Sequence, residues 1–178
     1  MRIMLIAIFL SLFFVVVNMV SAQSTEPEST VSASPDNSYI LFWPLTAGKT
    51  EGDSLYSLKL FKEQIGGLFI FGDMKKADYA VLLASKRVLE AEKLIKDGKL
   101  DSALKTLGKA ENQLSIAYNH VKNQALKDKV LKEEIRKDRL LHIKSFVDYL
   151  KTIAPTEAQE TLEGVKESAD VMLRDYLP

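Results

Sequence analysis

Two histidines, a handful of carboxylates and one glycine pair are the residues through which this sequence could do chemistry, and their spacing decides against most of it. His120 and His142 lie far apart. Neither belongs to an H-x-x-x-H or H-E-x-x-H pattern, so both read as polar or interface residues and not as metal ligands. No serine sits in a G-x-S-x-G elbow, and Glu133 and Glu134 point to different azimuths of a helix, which does not make a general acid and base. Gly66-Gly67 has no following Lys-Ser/Thr and no preceding strand. A phosphate cradle needs both, so close packing of a neighbouring helix is the better reading of the pair. The sequence contains no cysteine. That removes a disulfide scaffold, a thiolate metal site, a cysteine nucleophile and a lipidated anchor. No catalytic residue, cofactor or metal is therefore assigned, and the protein is expected not to be an enzyme.

The chain has 178 residues, with 24 Lys and Arg against 24 Asp and Glu. A single domain without charge bias is expected, which excludes a polybasic nucleic-acid binder. With 47% hydrophobic residues it is not a wholly disordered chain either. Met1-Arg2, an apolar run from Ile3 to Val17 broken only by Ser11, and small residues at Val20-x-Ala22 have the form of a secretory signal peptide. Residues 1–22 are expected to be removed between Ala22 and Gln23. The alternative is an uncleaved anchor, because the apolar run approaches the length of a membrane-spanning helix. Either way the remainder is expected outside the cytoplasm, secreted or periplasmic, and attached to a membrane only through this segment if it is kept.

Residues 23–38 are rich in Ser, Thr and Pro and too poor in apolar side chains to fold, so they read as a flexible linker. The domain is expected over 39–178. Its opening run, Tyr39 to Leu45, contains the single tryptophan, Trp43, and reads as an extended segment packed on the helices behind it. The body is helical throughout. Asp53-Ser54 offers an N-cap, and Leu55, Leu58, Phe61, Ile65, Leu68 and Phe69 then form an apolar stripe, widened by Leu60, Ile70 and Phe71, that predicts a central, most buried first helix. Gly72-Asp73 opens a second helix from Met74 to about Asp97, and Gly98 ends it. The third carries Leu100, Leu104, Leu107, Leu114 and Val121. Between Lys122 and Arg139 charge of both signs predominates, predicting a solvated helix or a break, and the interspersed acids argue against a nucleic-acid patch. A fourth helix runs through Ile153, and Pro155 separates it from a last one. The expected fold is all-α: an antiparallel helical hairpin or coiled-coil-like bundle of about four to five helices. The single tight turn within Ala91 to Glu111 marks one hairpin and not a repeat array.

The order Pro44, Ser54, Tyr56, Leu58-Lys59, Lys62-Glu63, Ala77, Ala84 and then KRVLEAEKL from Lys86 to Leu94 resembles a bacterial family of exported or membrane-tethered helical proteins, domain of unknown function 5667. Its Tyr-x-Leu-Lys-x-x-x-Glu helix corresponds to Tyr56 through Glu63, and its Arg-x-x-Glu-Ala helix to Arg87 through Ala91. The resemblance is best over a core of 44–121. It is weaker in the C-terminal extension, 122–178, through His142, Pro155 and Ser168, and it departs at Gly66-Gly67. What it implies is location and fold rather than activity. Tyr56, Lys59, Glu63, Arg87 and Glu90 are the family-motif residues, structural or interacting. In an antiparallel hairpin turning at Gly72-Asp73, a rise of about 1.5 Å per residue brings Glu63 within side-chain reach of Arg87, and Lys59 of Glu90. Such pairs at the edge of an apolar seam would fix register; facing outward, they would form a partner-binding surface. The functional expectation is an extracytoplasmic binding or scaffold module of the cell envelope, with a protein partner or self-association and no nucleic acid. A helical chaperone or stress sensor, or the outer part of a membrane signalling protein, are the alternatives.

Overall fold

The computed structural model describes residue 42, residues 45–125 and residues 137–176. The leader, the linker, Trp43 and the charged stretch 126–136 lie outside the described residues, so the expectations placed on them stand as they are. The described helices belong to one unit within residues 34–178. They are α1 (Tyr56–Leu68), α2 (Asp73–Lys96), α3 (Leu100–Ala125), α4 (Lys137–Ile153) and α5 (Gln159–Tyr176), with a 3-10 turn at Thr156–Ala158 before the last. Among the described residues there is no strand. The fold is all-α, as the helical periodicities require.

Four of the helices close a core. In α2, Ala77, Val81, Ala84, Val88 and Ala91 recur in alternating steps of four and three. The same alternation governs Ala103, Leu107, Ala110, Leu114, Ala117 and Val121 of α3, Leu140, Ile143, Val147 and Leu150 of α4, and Leu162, Val165, Ala169 and Met172 of α5. All of these are fully buried. A mean step of 3.5 residues keeps one seam facing the bundle axis along the whole helix, and alternating Ala with Leu or Val lets backbones approach between the larger knobs. The α2 and α3 helices pack along their length; α4 packs on α2, α5 on α3, and α4 on α5. Phe146 fills the interior of the second pair, with Phe42 edge-on at 5.3 Å between ring centroids and Tyr149 at 5.5 Å. Phe42 thus packs on the helices as expected for its segment, but it is in helical conformation and not extended.

The connections follow local chemistry. Gly98 adopts φ of +69°, and its N–H donates to Ile95 O while that of Lys99 donates to Leu94 O at 2.8 Å. This is the paired Schellman closure, which turns α2 sharply into α3. Pro155 lacks the N–H that would continue α4, and the Gln159 amide donates to the Lys151 and Ala154 carbonyls that the ending helix leaves free.

The first helix departs from expectation. Leu55, Leu58, Phe61, Ile65, Leu68, Phe69 and Phe71 are all exposed, and within α1 only Tyr56 and Glu63 are buried. It is therefore the outermost helix and not the central one. It rests on the bundle through long side chains, without the close backbone approach that joins α2 and α3. Nor does Asp53 cap it. Its carboxylate accepts from the Thr50 N–H at 2.7 Å and the Thr50 hydroxyl, closing the preceding turn, while Leu55 stands at the N-cap without a side-chain bond.

Because Ala110 is enclosed on the α3 seam and Gly108 faces open space, substitutions two residues apart should act in opposite directions. Chemical denaturation is expected to show Ala110→Leu destabilising by about 1–3 kcal/mol through overpacking. Gly108→Ala is expected to stabilise by about 0.4–1 kcal/mol through helix propensity and loss of unfolded-state freedom.

Candidate functional site

Rotating α1 so that its apolar stripe faces outward turns the opposite stripe onto the bundle. That stripe is Tyr56, Lys59, Leu60, Glu63, Gly66 and Gly67, again at steps of three and four. Its counterpart on α2 is Tyr79, Lys86, Arg87 and Glu90. Glu90 has 0% of its surface exposed, Arg87 4% and Glu63 8%. Both pairs that the hairpin geometry allows are present: Lys59 Nζ donates to Glu90 Oε1 at 2.6 Å, and Arg87 Nη2 donates to Glu63 Oε2. Arg87 also bridges, its Nη1 donating to Glu90 Oε1, and Lys86 approaches Glu63 from the rim at 3.5 Å. The Tyr56 hydroxyl completes the Glu90 carboxylate, donating to Oε2 at 3.1 Å. Their depth overturns the outward-facing alternative for the quartet. They lie inside, between α1 and α2.

The network reaches beyond the two helices. Lys59 spends its other two hydrogens on the carbonyls of Ala47, at 2.7 Å, and Lys49, at 2.8 Å, so all three N–H donors are used. This clamps the segment before α1. From α3, Lys109 pairs with Glu51 of the same segment and sits 4.8 Å above the Tyr56 ring, with Lys59 and Arg87 each at 5.9 Å from it. Three cations around one aromatic ring add attraction that hydrophobic packing alone would not supply. Burial, and then the Glu90 carboxylate, push the Tyr56 hydroxyl well above the ordinary tyrosine range. Burial works against the Arg87 charge, but Glu90 and Glu63 outweigh it and hold the guanidinium above its usual range.

Gly66 and Gly67 find their reason here. The Tyr79 hydroxyl donates to Glu63 O at 2.8 Å, and a Cβ at Gly66 would lie 3.0 Å from that hydroxyl oxygen, one at Gly67 3.4 Å from Tyr79 Cε1. The approach is made by a ring from α2. A cavity of about 260 Å³ opens beside it, lined among others by Gln64, Asn112 and Gln113, and its charged walls are already paired, Glu63 with Arg87 and Lys109 with Glu51.

A sequence model of the family described as Domain of unknown function (DUF5667) matches residues 48–170. The chain belongs to this family. The match takes in the clamped segment, all of α1 to α4 and most of α5, so the family's extent includes the C-terminal pair where the motif resemblance is weaker. No curated protein and no solved structure matches the chain. The family-motif residues Tyr56, Lys59, Glu63, Arg87 and Glu90 are thus gathered into one buried network. The other residues weighed as chemistry are not. His120 Nδ1 lies 3.1 Å from Asp73 Oδ1 and ties α3 to the start of α2, while His142 stacks edge-on against Phe42 at 6.3 Å. Ser168 lines a separate groove between α3 and α5 with Glu111 and Tyr118. Among the described residues no three His, Cys, Asp or Glu converge as a metal site.

Sequence reasoning missed the functional candidate this arrangement creates, the bare outer face of α1. Its signal is in the same thirteen residues: the motif residues and the glycine pair share one azimuth, and the apolar stripe occupies the other.

Removing one partner from a buried pair leaves an uncompensated charge, so Arg87→Ala is expected to lower stability by about 3–5 kcal/mol. In a double-mutant cycle with Glu63→Ala, a coupling of at least about 1 kcal/mol should appear in denaturant unfolding; additive effects would break the link between network and register. The raised Tyr56 pKa gives a second expectation. The folded state holds the phenolic proton more tightly than the unfolded chain, so this contribution is complete below about pH 10 and is lost as pH rises above it. Unfolding curves from pH 8 to 11 should fall more steeply for the parent than for Tyr56→Phe.

Proposed function

We propose that the domain acts by binding, as an extracytoplasmic helical binding or scaffold module of the cell envelope, and that its binding surface is the outward face of α1. One observation carries this reading: Leu58, Phe61, Ile65 and Leu68 run along a helix whose opposite, charged side is the one the fold uses. Scattered exposed apolar residues need no explanation, but a continuous stripe ending in Phe69 and Phe71 is the kind of surface that marks an interaction site. Catalysis receives no comparable support. The buried carboxylates are each held by two cations, Glu63 by Lys86 and Arg87 of α2 and Glu90 by Lys59 of α1 and Arg87 of α2, which leaves neither free to take a proton from a substrate. The secretory form of residues 1–22 is what supports an extracytoplasmic setting. Among the described residues no helix is long and apolar enough to cross a membrane.

The test separates binding from folding. Phe61→Ser combined with Leu68→Ser should unfold within about 0.5 kcal/mol per site of the parent, because these side chains contribute little to the core. The same variant should lose its association with isolated cell envelopes in a sedimentation assay. Unchanged association, or collapse of the fold, would refute the assignment.

A further inference from the structure

We propose that the outward face of α1, together with the Phe69–Phe71 tip, docks into the interfacial layer of an anionic lipid bilayer. The proposal rests on the reading of this face as the binding surface and gives that surface its partner. The shape is convex. Leu58, Phe61, Ile65 and Leu68 form a ridge roughly 15 Å long at 1.5 Å per residue, and Phe69 and Phe71 project beyond its end, 74% and 77% exposed. A protein seat for such a ridge has to supply a matching groove, whereas the boundary between headgroups and acyl chains accepts any apolar ridge of a few ångströms' depth.

Charge points the same way. Lys62 flanks the ridge and is exposed, and Lys75 and Lys76 stand exposed one turn past the tip. Of the nearby carboxylates, Glu63 is turned inward onto Arg87, Asp73 faces His120 and Asp78 is half-buried on α2, whereas Lys62, Lys75 and Lys76 are exposed. The rim of the apolar face is therefore cationic, which suits phosphate-bearing headgroups and adds attraction for each lysine brought near an anionic surface. A second copy of the chain suits it less well. A two-fold axis through the middle of α1 would bring the two Lys62 side chains together.

The sequence has no cysteine, so single-cysteine variants of the full chain can be labelled at one site each. Environment-sensitive fluorophores at Phe61→Cys, Leu68→Cys and, as control, the exposed α4 position Ser145→Cys would be read in vesicles of phosphatidylethanolamine with phosphatidylglycerol. Spin-labelled lipids should quench positions 61 and 68 and leave 145 unaffected. Reversing Lys62, Lys75 and Lys76 to Glu should lower the docked-to-undocked ratio at position 61 by more than about tenfold. Equal quenching at all three positions, or none at 61 and 68, overturns the proposal. If lipid quenching is absent but positions 61 and 68 become shielded from aqueous iodide as protein concentration rises, the face pairs with a second copy. The lipid assignment then falls and the binding-surface reading survives. If both positions stay open to iodide with vesicles, at high protein concentration and with isolated envelopes, both fall.

Discussion

Glu90 is a carboxylate with no exposed surface, and the placement of α1 follows from what its burial demands. Taking such a charge out of water costs several kcal/mol unless cations and donors replace the lost hydration. Arg87, one helical step away, supplies one cation but is itself buried and reaches only Oε1. Lys59 and the Tyr56 hydroxyl supply the rest, and both belong to α1. Glu63, from the same helix, neutralises the second half of Arg87. Two carboxylates and two cations thus close a neutral cluster whose members come from two helices. Lys59 extends it to the preceding segment through two carbonyls, and Lys109 extends it to α3 through Glu51 and the Tyr56 ring.

The competing orientation would turn α1 by half a revolution and bury Leu58, Phe61, Ile65 and Leu68. Each such side chain contributes about 1.5–3 kcal/mol when fully buried, so the four together rival the electrostatic term. Counting apolar area alone would then favour the inverted helix. Two local features decide against it. Inversion leaves Glu90 and Arg87 without Lys59, Tyr56 and Glu63. It also removes the two glycines from beneath Tyr79, which in the observed orientation reaches the α1 backbone at 2.8 Å over a surface with no Cβ in the way. Flatness at Gly66-Gly67 and charge at Lys59 and Glu63 select the same azimuth.

Much of this was legible in the sequence, and the part that was not has a definite cause. The core seams of α2 to α5 could be read from periodicity because each carries one apolar stripe and a polar remainder, so the stripe has one place to go. The ends of α2 and α4 followed from Gly98 and Pro155. The pairing of Lys59 with Glu90 and of Glu63 with Arg87 followed from counting residues back from the turn at Gly72. Periodicity fixes the azimuth of a stripe, though, and not the side on which the rest of the protein lies. In α1 the apolar stripe and the motif stripe are opposite, and the usual rule, apolar inward, chose the wrong one. The information that corrects it is non-local: Arg87 and Glu90 interrupt the apolar face of α2 at the depth where α1 must cover them. Asp53 failed as a cap for a similar reason. A carboxylate three residues from Thr50 and three from Tyr56 can serve either turn, and the Thr50 N–H and hydroxyl together offer it two donors.

The network and the outer face of α1 are coupled through the helix they share. At 13 residues, with two glycines inside and no side-chain cap at its start, α1 is shorter and poorer than helices that persist alone in water. Its apolar stripe packs on nothing in the described chain, so the usual source of helical stability in a globular protein is missing. What keeps it helical is the charged side, which anchors it at Tyr56, Lys59, Glu63 and the Gly66-Gly67 platform within three turns. The buried ion network therefore supports the exposed face directly: it holds Leu58, Phe61, Ile65 and Leu68 on one line without using any of them. A helix fixed by its polar side can present its apolar side to another surface without giving up core contacts. An apolar-side attachment would force the domain to choose between folding and binding.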